Sequence, residues 1–299
     1  MDLPANTLVR EGTRSKIMFK SILLCLEGSR SSEAATRACI QIARESRATV
    51  TGMAIVDKPD IEAGAAMGIG NSGFKRQRDE SLLADARIHA DDWLAQFQRL
   101  CDAAGVPART LEVVGRPAAA IIEEMQRHDL VVMGREVNFR FETEDDDRAT
   151  RERILRHANR PVILVPESTS DVGPELGAKV LLAFDGSAPA EHVLESFGRS
   201  GLGQSRDVHV ATVGDDGERA GDLANQAAEK LRGFGIEATA HGIVSALSTS
   251  DALLELGREL GASFLVMGAF AHSRLSELLH GSHTRDIVEH SPVALCLQH

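Results

Sequence analysis

The sequence predicts an α/β protein built of two tandem doubly wound parallel sheets, five strands each, with helices on both faces. Three observations predict it. Apolar runs too continuous for a sheet with one wet face alternate with amphipathic stretches of helical period. Strand, helix, strand at this rhythm implies right-handed crossovers in a parallel sheet. The whole pattern occurs twice in 299 residues, a length that gives each copy its own core.

Met1 to Lys16 mixes charges without an apolar h-region, and nowhere do 18 apolar residues run together. Neither secretion nor membrane insertion is therefore expected, and a cytoplasmic location is. The first strand is SILLCL, closed by Glu27-Gly28-Ser29, and the second is TVTGMAIV. Asp57 to Glu80 follows, carrying Gly68, Gly70 and Gly73 in GxGxxG spacing. A dinucleotide fingerprint needs its first glycine directly at a strand end, and about ten loop residues intervene here, so a flexible crossover or lid is the better reading. Next, Leu83, Ala86, Ala90, Trp93, Leu94, Phe97 and Cys101 recur at helical spacing as a core-facing stripe, with Trp93 a packed aromatic. ARTLEVV, LVVMG and PVILV complete the first five strands.

The chain then repeats itself. KSILLCLEGSRSSEAA (from Lys20) returns as KVLLAFDGSAPAEHV (from Lys179), LVVMG as FLVMG, and RHANRPVILV as EHSPVALCL. Three matches in one order mark a duplicated unit. The Ser-, Gly- and Pro-rich stretch 167–178 reads as the linker between domains 17–166 and 179–299. The interval from Lys20 to Met133 exceeds that from Lys179 to Met267 by 25 positions, an excess assigned to the Asp57–Glu80 segment.

With 43% hydrophobic and 26% charged residues the composition is that of a soluble globular protein, and the formal charge of −11 argues against a nucleic acid partner. A single nucleotide held by backbone donors stays open. Cys25, Cys39, Cys101 and Cys296 are scattered without metal or CxxC spacing and read as reduced core residues.

The second copy carries the stretch of most chemical interest, Val266 to Ser282. There a strand breaks at Gly268 into a long loop that closes on Gly281, just before a helix starting at Ser282. Glycines let the backbone approach an anion, and the first N–H groups of a helix have no partners of their own. An ordinary loop with a serine N-cap is the alternative.

The Glu27-Gly28-Ser29 and Asp185-Gly186-Ser187 turns, the VMG strand ends, and the closing helices followed by Pro-Val and an apolar strand together resemble the universal stress protein family in its tandem form. The likeness runs from Ile17 to the C-terminus and implies a Rossmann-like, adenine-nucleotide-hydrolase-like fold. In the nucleotide-binding branch of that family the phosphate motif is Gly, two residues, Gly, nine residues, then Gly-Ser or Gly-Thr. Here Gly268, Ala271, Gly281 and Ser282 keep that spacing, with alanine in place of the second glycine. If that position needs a left-handed backbone, alanine costs roughly 1–2 kcal/mol, about tenfold in affinity. The resemblance implies ATP or a related adenine nucleotide. Asp185 would lie against the ribose or adenine, Val213 would line the base pocket, and the backbone of Gly268, Ala271, Gly281 and Ser282 would hold the phosphates. From the residues alone, Asp185 reads equally as a turn-forming Asp-Gly.

The first copy departs from the motif. Val137 stands where the second glycine belongs and Arg148-Ala149 where Gly-Ser would align. A β-branched residue resists positive φ, and Glu142, Glu144, Asp145, Asp146 and Asp147 would repel an anion. That acidic run reads as a solvated loop that helps start the next helix; its ligands are too unevenly spaced for a divalent cation site. His272, His280, His283 and His290 lack the i, i+4 spacing of a zinc site, so no metal is expected, and a histidine edge beside a phosphate is the better use.

GxxxxGK, GxSxG, HExxH and kinase signatures are absent, so the expectation is no enzyme, with any ATP cleavage slow and incidental. The preferred function is a stress-response binding protein with adenine nucleotide in its second half and a degenerate first half as pseudo-dimer partner. Homodimerisation of the chain is left open. One alternative is a scaffold in which neither half binds nucleotide and the closing strands PVILVP and PVALCLQH pair with each other or with another chain; a slow ATPase or phosphotransferase is another.

Overall fold

In a computed structural model, residues 19–58, 61, 72–136, 147–167, 176–268 and 282–298 are described, with backbone alone at 72–73, 147–149 and 282–284. The first half contains β1 (Ser21–Leu26), α1 (Arg30–Ser46), β2 (Thr49–Val56), α2 (Ser72–Ala104), β3 (Ala108–Val114), α3 (Pro117–Glu124), β4 (Leu130–Gly134), α4 (Asp147–His157) and β5 (Val162–Val165). The second contains β6 (Lys179–Ala183), α5 (Ala188–Ser200), β7 (Asp207–Val213), α6 (Gly217–Arg232), β8 (Ala238–Ile243), α7 (Thr249–Leu260), β9 (Phe264–Gly268), α8 (Ser282–His290) and β10 (Ala294–Gln298). The five apolar runs of the first copy are its five strands.

Each half has the order 3-2-1-4-5 with parallel neighbours, as the repeating rhythm requires. The two five-stranded sheets are fused, however, into one ten-stranded sheet of order β3-β2-β1-β4-β5-β10-β9-β6-β7-β8. The junction is its antiparallel pair, with Leu295 opposite Leu164, Cys296 opposite Ile163 and Leu297 opposite Val162. Alternate residues of the strands enter two cores, one on each face, and both cores run through both halves. One lies under α1, α2, α5 and α6 and holds Ile22, Leu24, Phe97, Val180 and Phe264. The other lies under α3, α4, α7 and α8 and holds Leu23, Met53, Ile154, Leu265 and Ile287. β3 and β8, with one neighbour each, are only partly buried, unlike the central strands.

Serines start three of the helices. Ser29, Ser187 and Ser248 cap α1, α5 and α7, each accepting the backbone N–H three residues on. The segment Asp57–Glu80 differs from the sequence expectation. Gly68 and Gly70 lie outside the described residues, but Ser72 to Glu80 form the first turns of α2 rather than a crossover loop. Lys, Arg, Gln and Glu after Gly73 extend an existing helix at little cost, so propensity overrides the loop reading. At ~1.5 Å per residue this helix of 33 residues is about 50 Å long. Its core-facing stripe begins near Leu82, while Phe74 stands in solvent.

The halves also meet away from the strand junction. Gln41 of α1 exchanges two hydrogen bonds with the Leu176 backbone, and Arg206 donates twice to the Glu45 carboxylate, at 2.8 and 3.0 Å. On the opposite face Arg285 of α8 donates to Glu152 of α4 at 2.6 Å, and Arg135 donates to the Ser291 carbonyl.

All four cysteines are free thiols in the core. Burial pushes Cys25 and Cys296 up to about 12 and Cys101 up to about 11, and raises Cys39 well above the usual thiol value. Thiolate is the reactive form, so the native protein should leave a thiol-specific reagent unconsumed at pH 8 and react fully once unfolded. A fast-reacting equivalent in the native state would contradict the packing.

On the β7–β8 edge His209 and His241 share a hydrogen bond, Nδ1 to Nε2 at 2.9 Å. Burial first, and the neighbouring imidazole second, lower the His241 pKa. The unfolded chain takes up this proton near pH ~6.5, the folded chain only at lower pH. Stability is therefore full above that value and declines as pH falls through it, down to the lowered native pKa. His241→Gln should narrow the gap between urea midpoints measured at neutral and mildly acid pH, and an unchanged gap would speak against this linkage.

Candidate functional site

The site expected in the second half is assembled by strand register. Ala183 aligns with Ala211 and Leu182 with Val266, which brings Asp185, Val213 and Gly268 together at the carboxyl edge of the adjacent strands β6, β7 and β9. The order of the half-sheet reverses there, between β6 and β9, and ligands of doubly wound sheets sit at such a point.

Asp185 is exposed. Its Oδ1 accepts the Ser187 N–H at 2.9 Å, the turn-forming role read from Asp-Gly. Among the described residues Oδ2 has no hydrogen-bond partner, so the same carboxylate still has an acceptor facing solvent. Gly186 takes φ +75°, and Leu223 of α6 lies over it: a methyl group there would sit 3.0 Å from Leu223 Cδ2. Val213 is half-buried at the end of β7. At Gly268 a methyl group would find its nearest neighbour among the described residues, Val193 Cγ2, at 3.7 Å, an ordinary contact. Ser282 is the first residue of α8. Ala271 and Gly281 lie outside the described residues, as do His272 and His280 and the side chains of Ser282 and His283.

At the equivalent edge of the first half the β1 and β4 ends are closely packed. Glu27 replaces Asp185, but its side chain is buried and accepts the Ser29 hydroxyl, while its N–H donates to Ser32 Oγ at 3.3 Å. Gly28, at φ +80°, lies under the Trp93 indole, whose ring atoms would be 2.4 Å from a methyl group added there. At Gly134, the counterpart of Gly268, an added methyl would lie 2.4 Å from Ser31 Oγ and 3.0 Å from the Ser31–Ser32 backbone. Beyond the strand, the buried Arg151 of α4 reaches back to donate to the Arg135 carbonyl at 2.9 Å. Its burial lowers its pKa, opposed by the Glu289 carboxylate. Val137 and the acidic residues 142–146 lie outside the described residues, whereas Asp147 opens α4.

Reading the sequence missed two of these residues and the placement of a third. Ser31 and Arg151 carried no signal, because an ordinary helix serine and arginine look the same wherever they point. Trp93 was read as a packed aromatic, correctly, but its packing against the Gly28 turn is a tertiary fact. Among the described residues no group of three or more His, Cys, Asp or Glu side chains could hold a metal, and no helix is long and apolar enough to cross a membrane.

A family model described as the universal stress protein family matches residues 18–166 and 178–297. Universal stress protein Slr1230 of Synechocystis is 26% identical over 167 residues, which are 55% of this chain and 56% of that protein, so the chain spans little more than half of the curated relative's length. A universal stress protein from Archaeoglobus fulgidus superposes with a TM-score of 0.70 at 18% identity, covering 93% of this chain and 95% of its own. A functionally unknown protein from Pseudomonas aeruginosa PAO1 gives a TM-score of 0.56 at 15% identity, covering 94% and 92%. Likeness at these identities speaks for the fold.

The two strand-end glycines should respond differently to alanine. Gly134→Ala overpacks against Ser31 and Ser32 and should lower unfolding free energy by roughly 1–3 kcal/mol. Gly268→Ala meets only an ordinary contact among the described residues, and its unfolding free energy should stay within about 0.5 kcal/mol of the parent. Equal losses would remove the distinction between the two edges.

Proposed function

The chain belongs to the universal stress protein family, and on that premise we propose that its second half binds ATP or a close adenine nucleotide while its first half serves as structural partner. The observation that carries this reading is the contrast at the carboxyl edges. Glu27 and Gly134 are closed in by Ser29 and Ser31, whereas among the described residues Asp185 Oδ2 has no hydrogen-bond partner and Gly268 has only the ordinary contact with Val193.

The residues present suit such a ligand. Asp185 Oδ2 would accept a ribose hydroxyl or the adenine amine, and the half-buried Val213 would pack against the base. The backbone of Gly268, Ala271, Gly281 and Ser282 would hold the phosphates, helped by the first N–H groups of α8, a helix of nine residues. Asp215 and Asp216 are exposed beside the end of β7 and repel phosphate from that side, favouring a tail directed toward β9 and α8. The reading is of binding rather than turnover: among the described residues no nucleophile with an adjacent base accompanies these groups.

Denaturing the purified chain and chromatographing the supernatant should release at most one adenine nucleotide per chain, and two would refute the asymmetry. By titration calorimetry Gly281→Val should lose affinity while keeping its thermal midpoint; unchanged affinity would remove the motif. ATP turnover above about 1 s⁻¹, within the ordinary enzyme range, would overturn the binding reading in favour of catalysis.

A further inference from the structure

A cleft lies in the first half, between α1 and α2. It encloses about 240 Å³ and is floored by Leu26, Trp93, Phe97 and Leu100. Trp93 is held from below by the Gly28 turn, so one wall of this trough is a fixed aromatic edge, and Leu100 stays 40% exposed. Glu33 and Arg37 stand on the rim, one turn apart on α1. That order and spacing favour an ion pair within a helix. Yet neither side chain has an ionic partner among the described residues, and each is exposed. Two opposite charges therefore flank an apolar floor without neutralising each other.

From this juxtaposition we propose that the first half binds a small aromatic zwitterion: its ring against Trp93 and Leu100, above the buried Phe97, its carboxylate at Arg37 and its ammonium at Glu33. The volume decides the size. Ligand pockets for larger molecules run to about 300–1,000 Å³, so this cleft takes one ring and a short polar tail rather than a nucleotide. Charge decides the rest, because Glu33 repels a simple anion and Arg37 a simple cation, whereas a zwitterion satisfies both. The site lies between helices and shares no residue with the β6–β7–β9 edge, so the inference stands whether or not the second half binds nucleotide.

The chain has one tryptophan and no tyrosine, so its emission reports on Trp93 alone. Titrating the intact protein with L-phenylalanine should give a saturable change in that emission. 3-Phenylpropionate, which lacks the ammonium, and phenethylamine, which lacks the carboxylate, should each bind about tenfold more weakly or worse, the loss of one charged contact. Arg37→Gln and Glu33→Gln replace exposed helix residues, so circular dichroism should be unchanged while L-phenylalanine affinity falls by a similar factor. Gly281→Val should leave the titration as it was. A flat emission titration, equal binding of all three probes, or unaltered affinity in both rim variants would overturn the proposal, as would loss of the signal in Gly281→Val.

Discussion

The structure depends on the pairing of β5 with β10. Each half ends its sheet on an apolar strand, VILV or ALCLQ, whose outer edge would otherwise present unpaired N–H and C=O groups and bare aliphatic side chains. Joining them antiparallel buries both edges at once and makes each core continuous across the junction. The helices beside the junction carry the mark of a single chain. Glu152 and Arg285 each lie two residues before a buried isoleucine, Ile154 and Ile287, and they meet across the approximate two-fold. In a dimer of identical units a residue so close to the axis would meet its own copy, a like charge. Here duplication has allowed one partner to become acidic and the other basic. Both are substantially exposed, so the pair contributes only about 0–1 kcal/mol and bears on specificity more than on stability.

Antiparallel joining has a consequence for ligands. The carboxyl ends of β1–β5 point to one side of the sheet and those of β6–β10 to the other, so the two edges are separate sites rather than halves of one. Either can lose its chemistry without altering the other. In the first half the space is taken by Ser31, by the Ser29–Glu27 hydrogen bond and by the Trp93 indole. These contacts close the strand ends of that half, whereas among the described residues the opposite edge keeps an unbonded Asp185 oxygen and only an ordinary contact at Gly268.

Much of the fold was legible because it rests on periodicity and repetition. Continuous apolar runs gave away the central strands, since only a sheet covered on both faces buries every residue of LVVMG or VILV. The start of α2 was not legible, because its first turns are polar and border a glycine-rich stretch, so that no core-facing period marks them. The fusion into one sheet could be read only as an option, because a bare edge does not say which strand will cover it. Of the candidate site, Asp185 and Gly268 were legible as strand ends and Val213 through the family resemblance, and register brings the three together. What closes the first edge was invisible. It depends on which side chain of α1, α2 or α4 fills a gap, and spacing along one helix carries no information about gaps in another.

The most direct measurement is an amide chemical-shift map of the intact chain with and without ATP. The account predicts saturable shifts at Gly186, Gly214 and Gly268, around the β6, β7 and β9 ends, with Gly28 and Gly134 unmoved. Shifts confined to Gly28 and Gly134 would contradict it.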